Sequence, residues 1–174
     1  GEESISDIDF VVYKGETVGI IGGTGSGKST LINLIPRFYD ATKGIVRFHG
    51  KPIGEYVTEE LRERIGVVPQ KSVLFKGTIR TNLQWGKENA SEEEMKEALA
   101  ASQSLEFVEK LERFLDAPVA QGGKNFSGGQ RQRLAMSRAF IRKPRILVLD
   151  DSTSAVDAIS ERHIQHYLAT EFAN

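Results

Sequence analysis

Apolar positions along this chain fall into two textures. Toward both ends, short unbroken apolar runs stand between glycine-rich or charged turns; in the middle, apolar residues recur at helical spacing. "TVGII" at 17–21, "IGVVPQ" at 65–70 and "RILVLD" at 145–150 are runs of the kind that fill parallel strands covered on both faces. Pro69 predicts that the second of these ends there, because proline has no N–H for the ladder. "GIVRFHG" at 44–50 alternates apolar and polar residues between two glycines and reads as a further strand. After the first run comes a glycine-rich turn and then "STLINLI", where Leu31, Ile32, Leu34 and Ile35 predict a helix that Pro36 ends or bends.

From about 71 to 143 the pattern is mostly helical. Ser91 with Glu94 forms a capping box, with Glu92 and Glu93 also in the first turn, where the helix dipole favours acids. Met95, Ala98 and Leu99, then Leu105, Val108, Leu111 and Leu115, follow at helical spacing. In "NFSGGQRQRLAMSRAFIRK" at 125–143, Ser127 is a candidate N-cap and Leu134, Ala135, Ala139 and Phe140 a buried stripe. Arg131, Arg133 and Arg138 lie along this helix, and Lys143-Pro144 stops it. Residues 158–169 read as helix again. Strand, loop and helix segments flanking a helical insertion predict an α/β fold with a parallel sheet.

Composition narrows this picture only a little. The 174 residues, 39% hydrophobic and 27% charged, suffice for one domain with a core. Net charge is −1, from 23 basic and 24 acidic residues, so the basic excess of a nucleic-acid footprint is missing and no nucleic-acid partner is expected. The absence of cysteine excludes disulfides and thiolate metal sites. No apolar run approaches the roughly 20 residues of a membrane span. The chain begins at Gly1, almost directly on an apolar run, and stops in "HYLATEFAN"; a fragment of something longer, short at both ends, is the expectation.

The turn "GGTGSGKST" at 22–30 brings chemistry. Gly22, four residues, then Gly27-Lys28-Ser29 is the P-loop spacing. Phosphate oxygens are held by backbone N–H groups, and Gly22, Gly23, Gly25 and Gly27 give the loop the close path that β-carbons would block. The following helix points its positive end at the anion. Lys28 supplies a point charge for the β- and γ-phosphates, and Ser29 offers a hydroxyl to Mg²⁺. From average residue usage, a chance match in a chain this long is roughly one in a few hundred. Such a site needs a carboxylate at the end of a neighbouring strand to hold Mg²⁺, and Asp150 after "ILVL" fits. Asp151 beside it occupies the place of a group that orients or deprotonates attacking water. Ser127, Gly128 and Gly129 open a helix with a bare N-terminus, a second candidate anion site. If the two phosphate surfaces face different sides of the fold, a head-to-tail dimer in which each chain completes the other's site would reconcile them.

Together these stretches resemble the nucleotide-binding domain of an ATP-binding cassette (ABC) transporter. Walker A is "GGTGSGKST", the Q-loop "VVPQKSVLFKGTIRTNL" centres on Gln70, the signature is "FSGGQ" at 126–130, Walker B is "ILVLD", and "SAVD" at 154–157 looks like the D-loop. Five motifs in order cover most of the chain, and "LFKGTIRTNL" looks like the exporter type, usually fused to a transmembrane domain. The resemblance implies a P-loop NTPase fold with a RecA-like core of about 1–70 and 144–174, and an ABC-type helical subdomain of about 71–143. It implies that Gly22, Gly23, Thr24, Gly25, Ser26, Gly27, Lys28, Ser29 and Thr30 cradle ATP, with Ser29, Gln70 and Asp150 on Mg²⁺ and Gln70 and Asp151 in catalysis. Ser127, Gly128, Gly129 and Gln130 would cap the γ-phosphate bound by a second nucleotide-binding domain, with Asp157 at the dimer seam. Gln70 and the loop after it would couple the site to the membrane domain, at the cytoplasmic face of the cell membrane. ATP binding would close the dimer, and hydrolysis would reopen it and drive export.

Two departures stand out. Active members usually carry glutamate after the Walker B aspartate; here it is Asp151, whose carboxylate is set back by about 1 Å, a misplacement that can cost on the order of 100-fold in rate. The resemblance then implies the slow half of a heterodimer whose intact signature completes a competent partner site; a homodimer in which Asp151 suffices is the competing reading. The family's adenine-stacking aromatic and switch histidine have no match: Tyr13 lies too near the P-loop, and His163 and His166 come too soon after the D-loop, on a predicted helix surface. Phe75 and Trp85 are expected to pack beside the helical subdomain or at the membrane-domain contact. A DNA-maintenance ATPase would carry a long coiled coil between Walker A and the signature, and no sustained heptads occur there. A soluble ribosome-associated cassette, not coupled to transport, and a regulatory nucleotide binder with little turnover also compete with the exporter reading.

Overall fold

The structure is a computed structural model that describes residues 5–171. In chain order the helices are α1 (Lys28–Leu34), α2 (Thr58–Glu63), α3 (Ile79–Gln84), α4 (Glu92–Ala101), α5 (Leu105–Glu109), α6 (Gly128–Phe140) and α7 (Ala158–Glu171). The strands are β1 (Arg47–Phe48), β2 (Lys51–Pro52), β3 (Ile65–Val68), β4 (Gly77–Thr78), β5 (Pro118–Val119) and β6 (Ile146–Leu149).

The unbroken apolar runs at 65–70 and 145–150 become a parallel pair. β3 and β6 lie in register from Ile65 opposite Ile146 to Val68 opposite Leu149. Alternation along the strands sends their side chains to two faces. Ile65 and Val148 join Phe48, Ile53 and Leu61 on one face, where Ile32 and Ile35 also pack. Val68 joins Ala135, Met136, Ala139, Phe140 and Ile164 on the other, under α6 and α7. Covering on both faces is why neither run alternates in sequence. The ladder continues one step past β6, where the Asp150 N–H donates to the Val68 carbonyl at 3.0 Å. Pro69 has no N–H to carry it further. Gln70 and the Asp150-Asp151 pair therefore leave the same end of two neighbouring strands.

The helical texture forms a core of its own around Leu74, Ile79, Leu83, Met95, Leu99, Val108 and Leu115. The capping box at α4 forms as the sequence predicts, with Ser91 Oγ accepting from the Glu94 N–H and Glu94 accepting from the Ser91 N–H. Helix α6 takes part in both cores, giving Leu134 to the helical one and Ala135, Met136, Ala139 and Phe140 to the strand pair. Two close approaches fix it to its neighbours. A Cβ at Gly86 would collide with the Arg138 carbonyl. Fully buried Ser102, at the end of α4, meets Ser137 of α6 at 2.6 Å and Ser104 at 2.8 Å.

Two predicted strands come out differently. Residues 17–21 form no strand, and Ile21 is 98% exposed. The β-branched run expresses a fit to a pleated, covered surface, not an intrinsic backbone preference. Among the described residues β3 and β6 pair only with each other, so that surface is not offered to it. The 44–50 strand shrinks to Arg47–Phe48, because His49 and Gly50 take φ of +51° and +77° and turn the chain back into β2. Two successive residues with positive φ make the tight hairpin turn that suits strand twist.

Candidate functional site

The glycine-rich loop is held in shape by its own lysine. Gly25 and Gly27 have φ of +78° and +88°, in the left-handed region that favours glycine, and Gly27 opens α1. A Cβ at Gly22 would lie 2.5 Å from Ser26 Oγ. The Lys28 ammonium donates to the carbonyls of Gly22 and Gly23, the latter at 2.8 Å, and to Ser26 Oγ at 3.3 Å. The loop thus wraps a positive charge, with Gly23, Thr24 and Gly25 exposed and Thr30 half-buried in α1.

The two adjacent acids go to different partners. Ser29 Oγ, one residue into α1, donates to Asp150 Oδ2 at 3.3 Å across 121 positions of sequence. Gln70 Nε2 donates to Asp151 Oδ2 at 3.2 Å. Asp151 has φ of +47°, an uncommon conformation for a residue with a side chain, and the turn it makes separates the two carboxylates. Ser29 and Asp150 set a hydroxyl and a carboxylate oxygen side by side, the donor chemistry of a hard cation that keeps water and phosphate as its other ligands. The residues present therefore fit Mg²⁺.

The signature turn is built separately. Ser127 Oγ accepts from the Gln130 N–H at 3.2 Å and Gln130 Oε1 accepts from the Ser127 N–H at 2.9 Å. This capping box uses the serine hydroxyl internally and leaves the N–H groups of Gly128 and Gly129 outside it. No hydrogen bond among the described residues joins this turn to the P-loop. It meets the D-loop instead, since a Cβ at Gly129 would lie 2.5 Å from the Ala155 carbonyl oxygen. Asp157 caps α7, its carboxylate accepting from the Ser160 N–H at 2.9 Å, and that backbone hydrogen bond, the largest cause, holds it below the usual carboxylate range.

Sequence reasoning missed the side chains that fix these loops. Asn82 accepts from the Phe75 N–H and donates to the carbonyls of Phe75 and Thr78, all at 2.9 Å, clamping the segment after Gln70. Arg138 donates to the Val73 carbonyl at 3.0 Å and lies 5.1 Å from the Phe75 ring centre; burial lowers its pKa, but a guanidinium stays charged. Phe75 and Trp85 stand 5.1 Å apart as an exposed pair beside this segment. Gln132 is buried and bonds Ser154 and Ala155. A sequence signal for it existed: it falls three and four residues before Ala135 and Met136, a polar side chain on an apolar face. His163 and His166 are exposed on α7, as expected from sequence, and His163 Nδ1 lies 3.1 Å from Gln103 Oε1.

A glycine-wrapped lysine at a helix start, with a strand-end aspartate against the next serine, defines a P-loop nucleotide-binding domain. Within that class the chain matches the ABC transporter family model over residues 5–154, and it belongs to that family. It is 46% identical to the uncharacterized ABC transporter ATP-binding protein YfiB of Bacillus subtilis (strain 168), over 97% of this chain and 29% of the relative. It is 42% identical to an ATP-dependent lipid A-core flippase of Hahella chejuensis, over 98% of this chain and 29% of the relative. A solved bacterial Atm1-family ABC exporter with ATP bound superposes with a TM-score of 0.81 at 35% identity, covering 85% of this chain and 26% of that one. The chain spans less than a third of the length of these relatives.

Proposed function

We propose that this chain is the ATP-hydrolysing motor domain of an ABC exporter and that its own site turns over slowly. The observation that carries the reading is the convergence of Ser29 on Asp150 and of Gln70 on Asp151, from three separate stretches of sequence, next to the P-loop lysine. On this reading Lys28 exchanges its carbonyl contacts for the β- and γ-phosphates. Ser29, Asp150 and Gln70 would hold Mg²⁺, which would neutralise phosphate charge. Asp151 accepts the proton of the attacking water, from a carboxylate one methylene shorter than the family's usual glutamate and tied to Gln70. The Gly128 and Gly129 N–H groups and Ser127 close over the γ-phosphate of a second nucleotide-binding domain, and Asp157 lies at the seam. Residues of about 1–70 and 144–174 act as the RecA-like core and 71–143 as the helical subdomain. The exposed Phe75–Trp85 pair faces a transmembrane domain of the same protein, at the cytoplasmic side of the membrane. The exporter assignment is supported by what the relatives are: a lipid A-core flippase and an Atm1-family exporter.

Steady-state ATPase of the full-length protein, purified without a partner, beside its Asp151→Glu variant tests this. Slow wild-type turnover with a gain of about tenfold or more in the variant is the expected result, since restoring reach recovers part of the rate lost to misplacement. Brisk wild-type turnover with no gain would show that Asp151 serves as an adequate base, and the homodimeric reading would replace this one.

A further inference from the structure

Helix α6 carries a carboxamide on its buried face. Gln132 is 7% exposed and lies one turn ahead of Ala135 and Met136, which pack against the strand pair. A buried amide must satisfy both its acceptor and its donors. Here Oε1 accepts from the Ala155 N–H at 2.8 Å and Nε2 donates to Ser154 Oγ at 2.9 Å. Both partners belong to the loop between Asp150 and Asp157. The same stretch touches α6 a second time at Gly129, where the Ala155 carbonyl leaves no room for a side chain. Other ties of the loop run to Gln70, which donates to Asp151 Oδ2 at 3.2 Å, and to α7, through Thr153 Oγ1 donating to Glu161 at 2.8 Å and through the Asp157 cap.

We infer that Gln132 is a positioning residue: it fastens the loop that follows Asp151 to the signature helix, so that the Asp150-Asp151 end of one nucleotide site and the Ser127–Gln130 turn of the other move as one body. The inference rests on the reading that the P-loop and the signature turn serve two different nucleotides. Gln132 touches neither nucleotide on that reading; it acts through Ser154 and Ala155. Without its two hydrogen bonds, the loop keeps its ties to α7 through Glu161 and Asp157 but loses its polar ties to α6. Phosphate capture at the start of α6 then no longer fixes the position of Asp151.

The test uses the full-length protein with Gln132→Leu, which keeps the volume and removes the amide, Ser154→Ala, and the double variant. Hydrogen exchange of the 151–157 segment is read beside kcat and KM for ATP. In Gln132→Leu, exchange of 151–157 should rise by about tenfold or more while α6 keeps its protection. The value of kcat should fall by about tenfold or more, with KM changed less than about twofold, the pattern of lost transition-state positioning. Ser154→Ala should show a smaller shift of the same kind and add nothing in the Gln132→Leu background, because the two share one bond. Unchanged exchange at 151–157, loss of α6 protection together with the loop, or fully additive effects in the double variant would each overturn the proposal. If the wild type binds no ATP, the proposed function fails, while the exchange pattern still decides the role of Gln132.

Discussion

At the scale of single residues, the site turns on where neighbouring side chains part company. Asp150 and Asp151 are adjacent in sequence, yet one meets Ser29 and the other Gln70, because Asp151 adopts a left-handed backbone. The pair of acids was legible at the end of an apolar run; their different partners and the turn that separates them were not, since aspartate at positive φ leaves no pattern. Lys28 makes the same point. Its place in a P-loop was legible from the spacing of the glycines, whereas its contacts with the Gly22 and Gly23 carbonyls follow from the path of the loop. Replacing it with methionine removes a charge-assisted contact to phosphate, worth about 1.5–3 kcal/mol. ATP affinity of the full-length protein should therefore fall by roughly 10- to 100-fold in equilibrium binding. The loop carbonyls that Lys28 satisfies can turn to water, so thermal stability should change little.

Secondary-structure elements show a sharper division between local and tertiary information. The caps of α4 and α6 form as read from sequence, because a capping box is complete within four residues. β3 and β6 are also as read, each apolar run finding a neighbour and two covered faces. The 17–21 run has the same texture and forms no strand, since its state depends on partners that its own sequence does not contain. His49 ends β1 early by taking the first position of a turn, where only Gly50 announced one. The most constrained contact between helical elements rests on a single glycine. Gly86→Ala would drive a Cβ into the Arg138 carbonyl and to 2.7 Å from Ile141 Cγ2, against backbone that cannot step aside cheaply. Overpacking of this kind costs about 1–3 kcal/mol. Hydrogen exchange at α3 and the C-terminal half of α6 should accelerate accordingly, with β3 and β6 less affected.

Across the whole molecule, acids and bases are balanced in number but not idle. Hydrogen bonds from Arg80 to Asp116, from Lys87 to Glu94 and from Lys110 to Glu106 hold these three carboxyls below their ordinary range. Groups whose folded-state pKa is depressed contribute stability that is fully present above their unfolded values, about 3.9 for Asp and 4.3 for Glu, and that is lost as pH falls through the folded values. The unfolding temperature should therefore be nearly flat between pH 6 and 8 as far as these pairs are concerned and decline below about pH 4. Asp116 and Glu106 are exposed and Glu94 is half-buried, so salt should weaken the effect, least at Glu94. The central claim is larger than any of these pairs: a serine at residue 29 and an aspartate at residue 150 form one cation-dependent nucleotide site with the P-loop. The most direct measurement is the affinity of the full-length protein for a non-hydrolysable ATP analogue, with and without Mg²⁺, in the wild type and in Asp150→Asn. Mg²⁺ should raise wild-type affinity by roughly tenfold or more, the scale of one charge-assisted contact, and Asp150→Asn should remove most of that gain. An Asp150→Asn protein whose affinity still rises with Mg²⁺ as much as the wild type's would contradict it.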